Sequence, residues 1–363
     1  MMERLSRVFL LLLVFLLPAC QDPVPAEGTG ALSVVITAGG GVPTRASGVT
    51  ELPYEKRLNQ LQLFLFEGNV LCRYDRVDTG LDALPFRKTY ESLKTGSYRV
   101  YAVANAEDLH GVTTEAALNE RVVRLSDCSL AEERGFVMAG AVETAAGRGA
   151  PTPVPISLSR FAARVRLVSV ENRVPSGYAR DGAVTVKSVF LINALGTWAL
   201  GGAGTASEWV NLGGRVAGRA SSDSRSDFIT EAGQVHPAAY LPQVFRTDGR
   251  TLANGTVETY ADCCLYSFPN AVQTDHTGST AGAGEGAFTR LVILATVNGA
   301  DWWYPVTLSV DGRGLERNTS YDVRVVLRTT GSADPNEPLV KGSLSAEVSV
   351  NPWSPGADYS ETI

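Results

Sequence analysis

Cys20 is the first residue whose type and position suit it for a chemical modification. It follows two arginines, Arg4 and Arg7, and an apolar run at residues 8–17 that is too short for a permanent membrane helix. The residues just before it resemble a bacterial lipobox, in which the cysteine thiol is acylated and the cysteine becomes the new N-terminus. The sequence therefore predicts lipidation of Cys20, with an ordinary secretory signal as the alternative.

Arg45 is the second candidate, as the target of a protease. Leu32, Val34 and Ile36 alternate with their neighbours, which predicts a short strand. Three successive glycines and a proline follow, and they predict an exposed loop in which a protease would reach the arginine. A cut between Arg45 and Ala46 would detach this strand with everything before it. An ordinary solvated loop residue is the alternative.

The other polar residues give little support for catalysis, metal binding or a cofactor. The histidines and aspartates in question are His110, His236, His276, Asp262, Asp275 and Asp311. They do not form a nucleophilic motif or a calcium loop, and no glycine motif for binding phosphate precedes a helix. We therefore expect no enzyme, no cofactor and no metal site.

The cysteines after Cys20 lack the spacing of a zinc site. Cys72, Cys128, Cys263 and Cys264 allow three disulfide pairings, and the sequence does not choose among them. The adjacent pair Cys263 and Cys264 is unlike a compact disulfide framework, so we expect buried free thiols there.

The composition indicates the fold class and excludes one class of partner. The formal charge is −6 and no block of Lys or Arg occurs, so we expect no nucleic-acid partner. The chain has 363 residues, a length typical of two domains, and its 36 glycines favour an all-β protein with many turns. The whole pattern predicts two β-sandwiches.

Short runs of alternating or apolar residues predict the strands. The run at 61–66 is apolar on both faces and should be central in its sheet, whereas 114–120 predicts a short helix. Residues 201–234 have little periodicity and predict a long loop or insertion. Further strands are predicted at 96–105, 121–125, 135–139, 156–170, 184–193, 239–245, 264–268, 288–297, 304–310 and 320–327.

The last predicted strand, at residues 343–350, has the clearest amphipathic pattern. Leu344, Ala346, Val348 and Val350 face one way, and polar residues face the other. Such a strand either ends its own sheet or pairs with a sheet of another molecule.

The aromatic cluster of Trp302, Trp303 and Tyr304 also allows two interpretations. It is either a platform for carbohydrate or, more commonly, the cap of a sandwich core.

Several segments, in order along the chain, resemble the Bacteroidetes fimbrillins of the FimA/Mfa-like type, the subunits of type V pili. Thr44, Arg45 and Ala46 are similar to the processing site of that family. The other segments are 61–68, 98–105 (YRVYAVAN), 160–165 (RFAARV), 315–321 (LERNTSY), 331–335 and 348–353. The order and spacing of these segments carry the resemblance, which extends from the lipobox to the end of the chain.

The resemblance implies an all-β fold of two transthyretin-like β-sandwich domains in tandem, and a pilus subunit. The protein would be an outer membrane lipoprotein precursor, cut after Arg45 by an arginine-specific protease and then polymerised with other pilin subunits into a cell-surface fimbrium. The divisions are 1–20 signal peptide, 21–45 tether and removable strand, 46–157 and 158–363 sandwiches, and 343–353 candidate donor strand. The alternative is a lipidated pilus anchor, a tip adhesin or a glycan-binding module with a host or bacterial surface ligand.

Overall fold

The computed structural model is built almost entirely of β-strands. It describes residues 29–38, 52–81, 84–125, 135–202, 208–216, 224–231, 234, 244–247, 249–270, 272, 287–309, 311–339 and 342–353. Within these ranges the helices are short: α1 (Glu115–Asn119) and 3₁₀ helices at Pro53–Lys56, Arg180–Gly182, Leu212–Gly214 and Arg225–Asp227. The predicted all-β class is confirmed.

The first sheet is built from the N-terminal strands. These are β1 (Thr29–Ala38), β2 (Leu61–Glu67), β3 (Val70–Val77), β4 (Phe86–Lys94), β5 (Gly96–Ala104), β6 (Val122–Arg124), β7 (Met138–Ala146) and β8 (Pro153–Arg160). Seven of them pair in the order β3-β2-β5-β7-β8-β1-β4. Leu63 of β2 and Tyr90 of β4, near opposite ends of this order, lie in one buried cluster. The sheet therefore folds over and encloses its own core.

Among the described residues there are thirteen later strands, ten of which form two five-stranded sheets that face each other. They are β9 (Ala163–Asn172), β10 (Val184–Ile192), β11 (Ala194–Leu195), β12 (Thr197–Ala199), β13 (Trp209–Val210), β14 (Val244–Arg246), β15 (Thr251–Leu252), β16 (Val257–Thr259), β17 (Cys264–Ser267), β18 (Arg290–Val297), β19 (Ala300–Thr307), β20 (Thr319–Leu327) and β21 (Leu344–Pro352). One sheet contains β14-β10-β18-β19 with β15 on β10, and the other contains β16-β9-β20-β21 with β17 on β9. Leu167, Val189, Ile293 and Val323 share the core between them.

The chain passes from the first sheet to the later sheets between Arg160, where β8 ends, and Ala163, where β9 begins. The boundary predicted at 157/158 falls inside β8, and it stays a prediction, as does the tandem division. A third buried cluster, which includes Phe136, Tyr266 and Trp353, joins the two parts. We call this contact region the junction.

Part of the segment predicted as a long loop packs against a sheet. Within residues 201–234, β13 pairs with β11, and Phe228 and Ile229 are buried beside Trp303. This stretch is rich in Gly, Ser and Ala, so its few isolated apolar residues form no period that the sequence would reveal. The segment is therefore partly a cover for the outer face of the β10-β18-β19 sheet.

The burial of the aromatic cluster favours its interpretation as a core cap. Trp303 and Tyr304 are buried, and Trp302 is half-buried. The Trp303 indole N–H donates to the carbonyl of Ile229 at 2.9 Å. Little of this cluster is left for a ligand.

Candidate assembly site

β1, the strand that the sequence marks as removable, lies inside the first sheet. It pairs antiparallel with β4 on one side and parallel with β8 on the other. Leu32, Val34 and Ile36 are 1%, 0% and 0% exposed and belong to the core of that sheet. The strand predicted to be detachable is therefore an interior strand of the sheet, with a hydrogen-bonded neighbour on each side.

The start of β1 is fastened by a close backbone approach. The Ala31 N–H donates to the Gly147 carbonyl at 2.8 Å, and the Gly147 N–H donates back at 3.2 Å. A Cβ atom at Gly30 would lie 2.9 Å from that same Gly147 oxygen, so only glycine fits. The register with β4 shifts between Gly30 and Leu32, which accommodates this bend.

The two neighbours of β1 differ in how many hydrogen-bond donors they have. Pro153 and Pro155 of β8 lie opposite Ser33 and Val35 of β1, and prolines have no N–H to donate. β4 has no proline in its paired segment. The prolines therefore reduce the number of backbone hydrogen bonds that β8 can donate to β1, whereas β4 has no such loss.

β21, the strand predicted as a donor, is an edge strand in the structure. It pairs antiparallel with β20 at nine positions, and no other described strand pairs with it. Leu344 and Val348 are half-buried against the core, whereas Ala346 and Val350 are exposed, Val350 to 43%. Its own sheet thus covers the apolar face of β21 only in part.

Trp353, the residue after β21, is by contrast fully buried in the junction. The Arg160 guanidinium lies 4.4 Å from the centre of its indole ring, and Arg160 Nη1 donates to its carbonyl at 2.8 Å. The rings of Phe136 and Tyr266 lie 5.2 and 5.6 Å from the indole. The end of the candidate donor strand is therefore held by both parts of the chain.

A buried ion pair lies next to Trp353. Arg164 Nη1 is 2.9 Å from Glu55 Oε2, and both side chains are 0% exposed. Glu55 also accepts hydrogen bonds from the Leu52 N–H and the Tyr266 hydroxyl, both at 2.7 Å. Burial, and then the charge of Glu55, raise the pKa of Tyr266, so its hydroxyl stays a donor. Sequence reasoning did not predict this group, although two arginines in the otherwise apolar stretch RFAARV are a signal for it.

The structure describes some of the other predicted site residues and not others. Cys20, Arg45 and Ala46 lie outside the described residues, the last two between β1 and the 3₁₀ helix Pro53–Lys56. Cys263 and Cys264 are buried free thiols on opposite faces, one in the core of the later sheets and one in the junction. Within the described ranges no three His, Cys, Asp or Glu residues group as metal ligands would. His110, Asp262 and Asp311 are exposed; Cys72 is half-buried; Cys128, His236, His276 and Asp275 lie outside the described residues.

Comparison with known proteins finds a family model that matches part of the chain and solved structures with a similar fold. Residues 31–160 match the family model for the major fimbrial subunit protein (FimA). A fimbrilin (FimA) from Porphyromonas gingivalis is 14% identical with a TM-score of 0.58, over 91% of this chain and 99% of that one. A Bacteroides eggerthii protein described in terms of cell adhesion is 22% identical with a TM-score of 0.60, over 91% and 98%. No curated protein matches in a sequence search.

A third similar structure is the tip fimbrial protein Mfa3 from Porphyromonas gingivalis with C-terminal truncation, which is 13% identical with a TM-score of 0.53, over 90% and 100% of the chains. Residues 31–160 thus match the model of the major fimbrial subunit family, and the described part of the chain has a fold similar to that of the fimbrillins. The resemblance seen in the sequence is confirmed.

The comparisons agree on one class of similar protein. The model that matches residues 31–160 is that of a fimbrial subunit, and the similar solved structures are described as fimbrial or cell adhesion proteins. No helix among the described residues has the length and apolar character needed to cross a membrane.

Proposed function

We propose that this protein is a structural subunit of a cell-surface fimbrium, activated by proteolysis. It is exported as an outer membrane lipoprotein through Cys20, cut between Arg45 and Ala46 by an arginine-specific protease, and polymerised with other pilin subunits. The observation that supports this most is the position of β1, which is buried in the sheet and directly precedes the segment that contains Arg45.

Loss of β1 would leave a groove that has to be refilled. Full burial of a Leu, Val or Ile side chain contributes about 1.5–3 kcal/mol, so Leu32, Val34 and Ile36 together contribute at most about 5–9 kcal/mol. A whole domain is stable by only about 5–15 kcal/mol. The groove between β4 and β8 would also present unpaired backbone groups on both sides. Such a groove favours the capture of another strand.

β21 of a second copy is the proposed replacement. Its apolar residues recur at every second position, as those of β1 do, and its own sheet leaves them partly uncovered. Each subunit would then carry one groove and one donor, a head-to-tail contact that builds an open filament. The same cut would separate the lipid on Cys20 from the body, so membrane release and activation would coincide.

Controlled proteolysis tests the proposal. Purified protein treated with an arginine-specific protease should start at Ala46, lose β1 and form filaments visible by electron microscopy. An Arg45→Gln variant should stay uncut at this position and monomeric. A Val348→Asp variant should be cut but should not polymerise, because a carboxylate would enter the apolar groove. Wild-type protein that is cut after Arg45 and loses β1, yet stays monomeric, would contradict the mechanism.

A ligand-binding role is the second candidate, and a cavity supports it. A cavity of about 460 Å³ lies beside Trp198, Asn270 and residues 313–317. This volume is within the range of about 300–1,000 Å³ typical of small-ligand sites. Arg313 and Glu316 add polar groups to a mostly apolar lining, as a sugar residue requires.

A glycan array separates this role from that of a plain shaft subunit. We expect an adhesin to bind a defined set of host or bacterial glycans and a Trp198→Ala variant to lose that binding. Absence of binding by the wild-type protein would remove this candidate and leave polymerisation unaffected.

A further inference from the structure

Trp353 is the residue that fastens the candidate donor strand. Among residues 342–353 it is the only buried side chain. The other side chains of this segment are half-buried or exposed, and Leu344 and Val348 are only partly covered by the core. The indole therefore makes the largest single side-chain contact of the segment.

The site that holds the indole is built from elements far apart in sequence. We call Phe136, Arg160, Arg164 and Tyr266 the indole seat. Phe136 and Arg160 belong to the N-terminal part, whereas Arg164 lies on β9 and Tyr266 on β17. The two guanidinium groups lie 4.4 and 5.7 Å from the indole ring, which suits cation–π attraction.

The seat satisfies the backbone of Trp353 but not its side chain. The Trp353 N–H donates to the Asn318 carbonyl at 2.9 Å, and its carbonyl accepts from Arg160. The indole N–H is buried and has no hydrogen-bond acceptor among the described residues. A buried donor without an acceptor is unfavourable, so the seat holds the indole by packing and cation–π attraction and releases it without breaking a side-chain hydrogen bond.

The seat also depends on a residue that remains after the proposed cut. Glu55 lies downstream of Arg45 and pairs with Arg164, and its carbonyl accepts from Arg160 Nε at 3.1 Å. Proteolysis at Arg45 would therefore leave the seat intact. Opening of the groove and release of the donor become two separate events.

We propose that Trp353 is a lock that keeps β21 in its own sheet until a second copy offers an open groove. This inference rests on the proposed function. β21 ends at Pro352, and one residue spans at most about 3.6 Å. The strand cannot lie in the groove of a neighbour while the next residue stays buried in its own molecule. Transfer of β21 therefore requires extraction of the indole.

Hydrogen exchange in the uncut protein tests the lock without any assembly. In Trp353→Ala we expect the amides of β21 to exchange at least tenfold faster, while those of β9 and β5 keep their protection. Trp302→Ala is the matched control, because Trp302 is half-buried and lies away from the seat, and it should leave β21 unchanged. Unchanged β21 exchange in a folded Trp353→Ala protein would overturn the proposal.

If Trp353→Ala fails to fold, two more conservative variants test the proposal instead. Trp353→Phe and Arg160→Lys keep an aromatic ring and a positive charge, respectively. Faster exchange confined to β21 in either variant supports the lock, whereas no change or a uniform increase in both contradicts it.

Assembly after proteolysis distinguishes this inference from the proposed function. Cut Trp353→Ala should polymerise faster than cut wild-type protein, and cut wild-type protein at high dilution should keep β21 protected. If β21 is freed in the variant but neither protein polymerises, the proposed function is wrong and the lock remains. If cut wild-type protein polymerises but β21 is not freed in the variant, the lock alone is wrong.

Discussion

Glu55 and Arg164 are charged groups that lie entirely out of water at the junction. Transfer of each charge from water is unfavourable, and their mutual attraction with the added hydrogen bonds offsets it. Removal of one partner leaves the other buried and uncompensated. A single side chain here thus affects the contact between the two parts of the molecule.

Loss of Arg164 should be strongly destabilising. We expect Arg164→Met to lower the free energy of unfolding by about 3–5 kcal/mol, measured by urea denaturation. The control is Arg313→Met, because the pair of Arg313 with Glu316 is 78% and 59% exposed and should contribute little. Equal effects of the two substitutions would show that burial of the Glu55 pair has no special role.

The buried thiols of Cys263 and Cys264 should not react with thiol reagents in the folded protein. Burial raises the pKa of Cys264 to about 12, and burial also raises the pKa of Cys263. At pH 8 both stay protonated, so we expect a thiol reagent to modify neither in the native state and both in urea, read by peptide mass mapping. Half-buried Cys72 serves as the accessible comparison. Native labelling of Cys264 as fast as that of Cys72 would be inconsistent with the observed burial.

Some strands are easier to predict from the sequence than others. β1, β2 and β5 alternate or are continuously apolar, so their existence is visible from the sequence alone. β4 is not, because its sequence FRKTYESLK carries charges on the outward face and only two buried residues, Tyr90 and Leu93. The indole seat is also hidden, because the long-range pairing of β17 with β9 and the packing of the junction bring its members together.

β1 offers a matched test of which face carries its stability. We expect Ile36→Ala to lower the free energy of unfolding by about 2–5 kcal/mol, because it leaves a cavity in the core. Val35→Ala, on the half-buried opposite face, should have a clearly smaller effect by the same denaturant titration. A larger effect at Val35 would mean that the register of β1 is wrong.

At the scale of the whole molecule, the proposed life of the protein depends on its first forty-five residues. The proposed lipid attachment and the proposed temporary strand both lie upstream of Arg45, so cleavage of one peptide bond would turn a tethered monomer into a free subunit. Fatty-acid labelling of cells tests the first half of this statement. Cys20→Ala should abolish labelling and membrane attachment, whereas Cys72→Ala should retain both. Persistent labelling of Cys20→Ala would show that another residue is acylated and would contradict the proposed site.

β1 runs antiparallel to one neighbour and parallel to the other. A strand that entered the same slot in the reverse orientation would also make one parallel and one antiparallel ladder. Backbone pairing type alone therefore does not dictate the polarity of an incoming segment. The order of large and small side chains along the groove has to do so, and with it the handedness of any fibre that results.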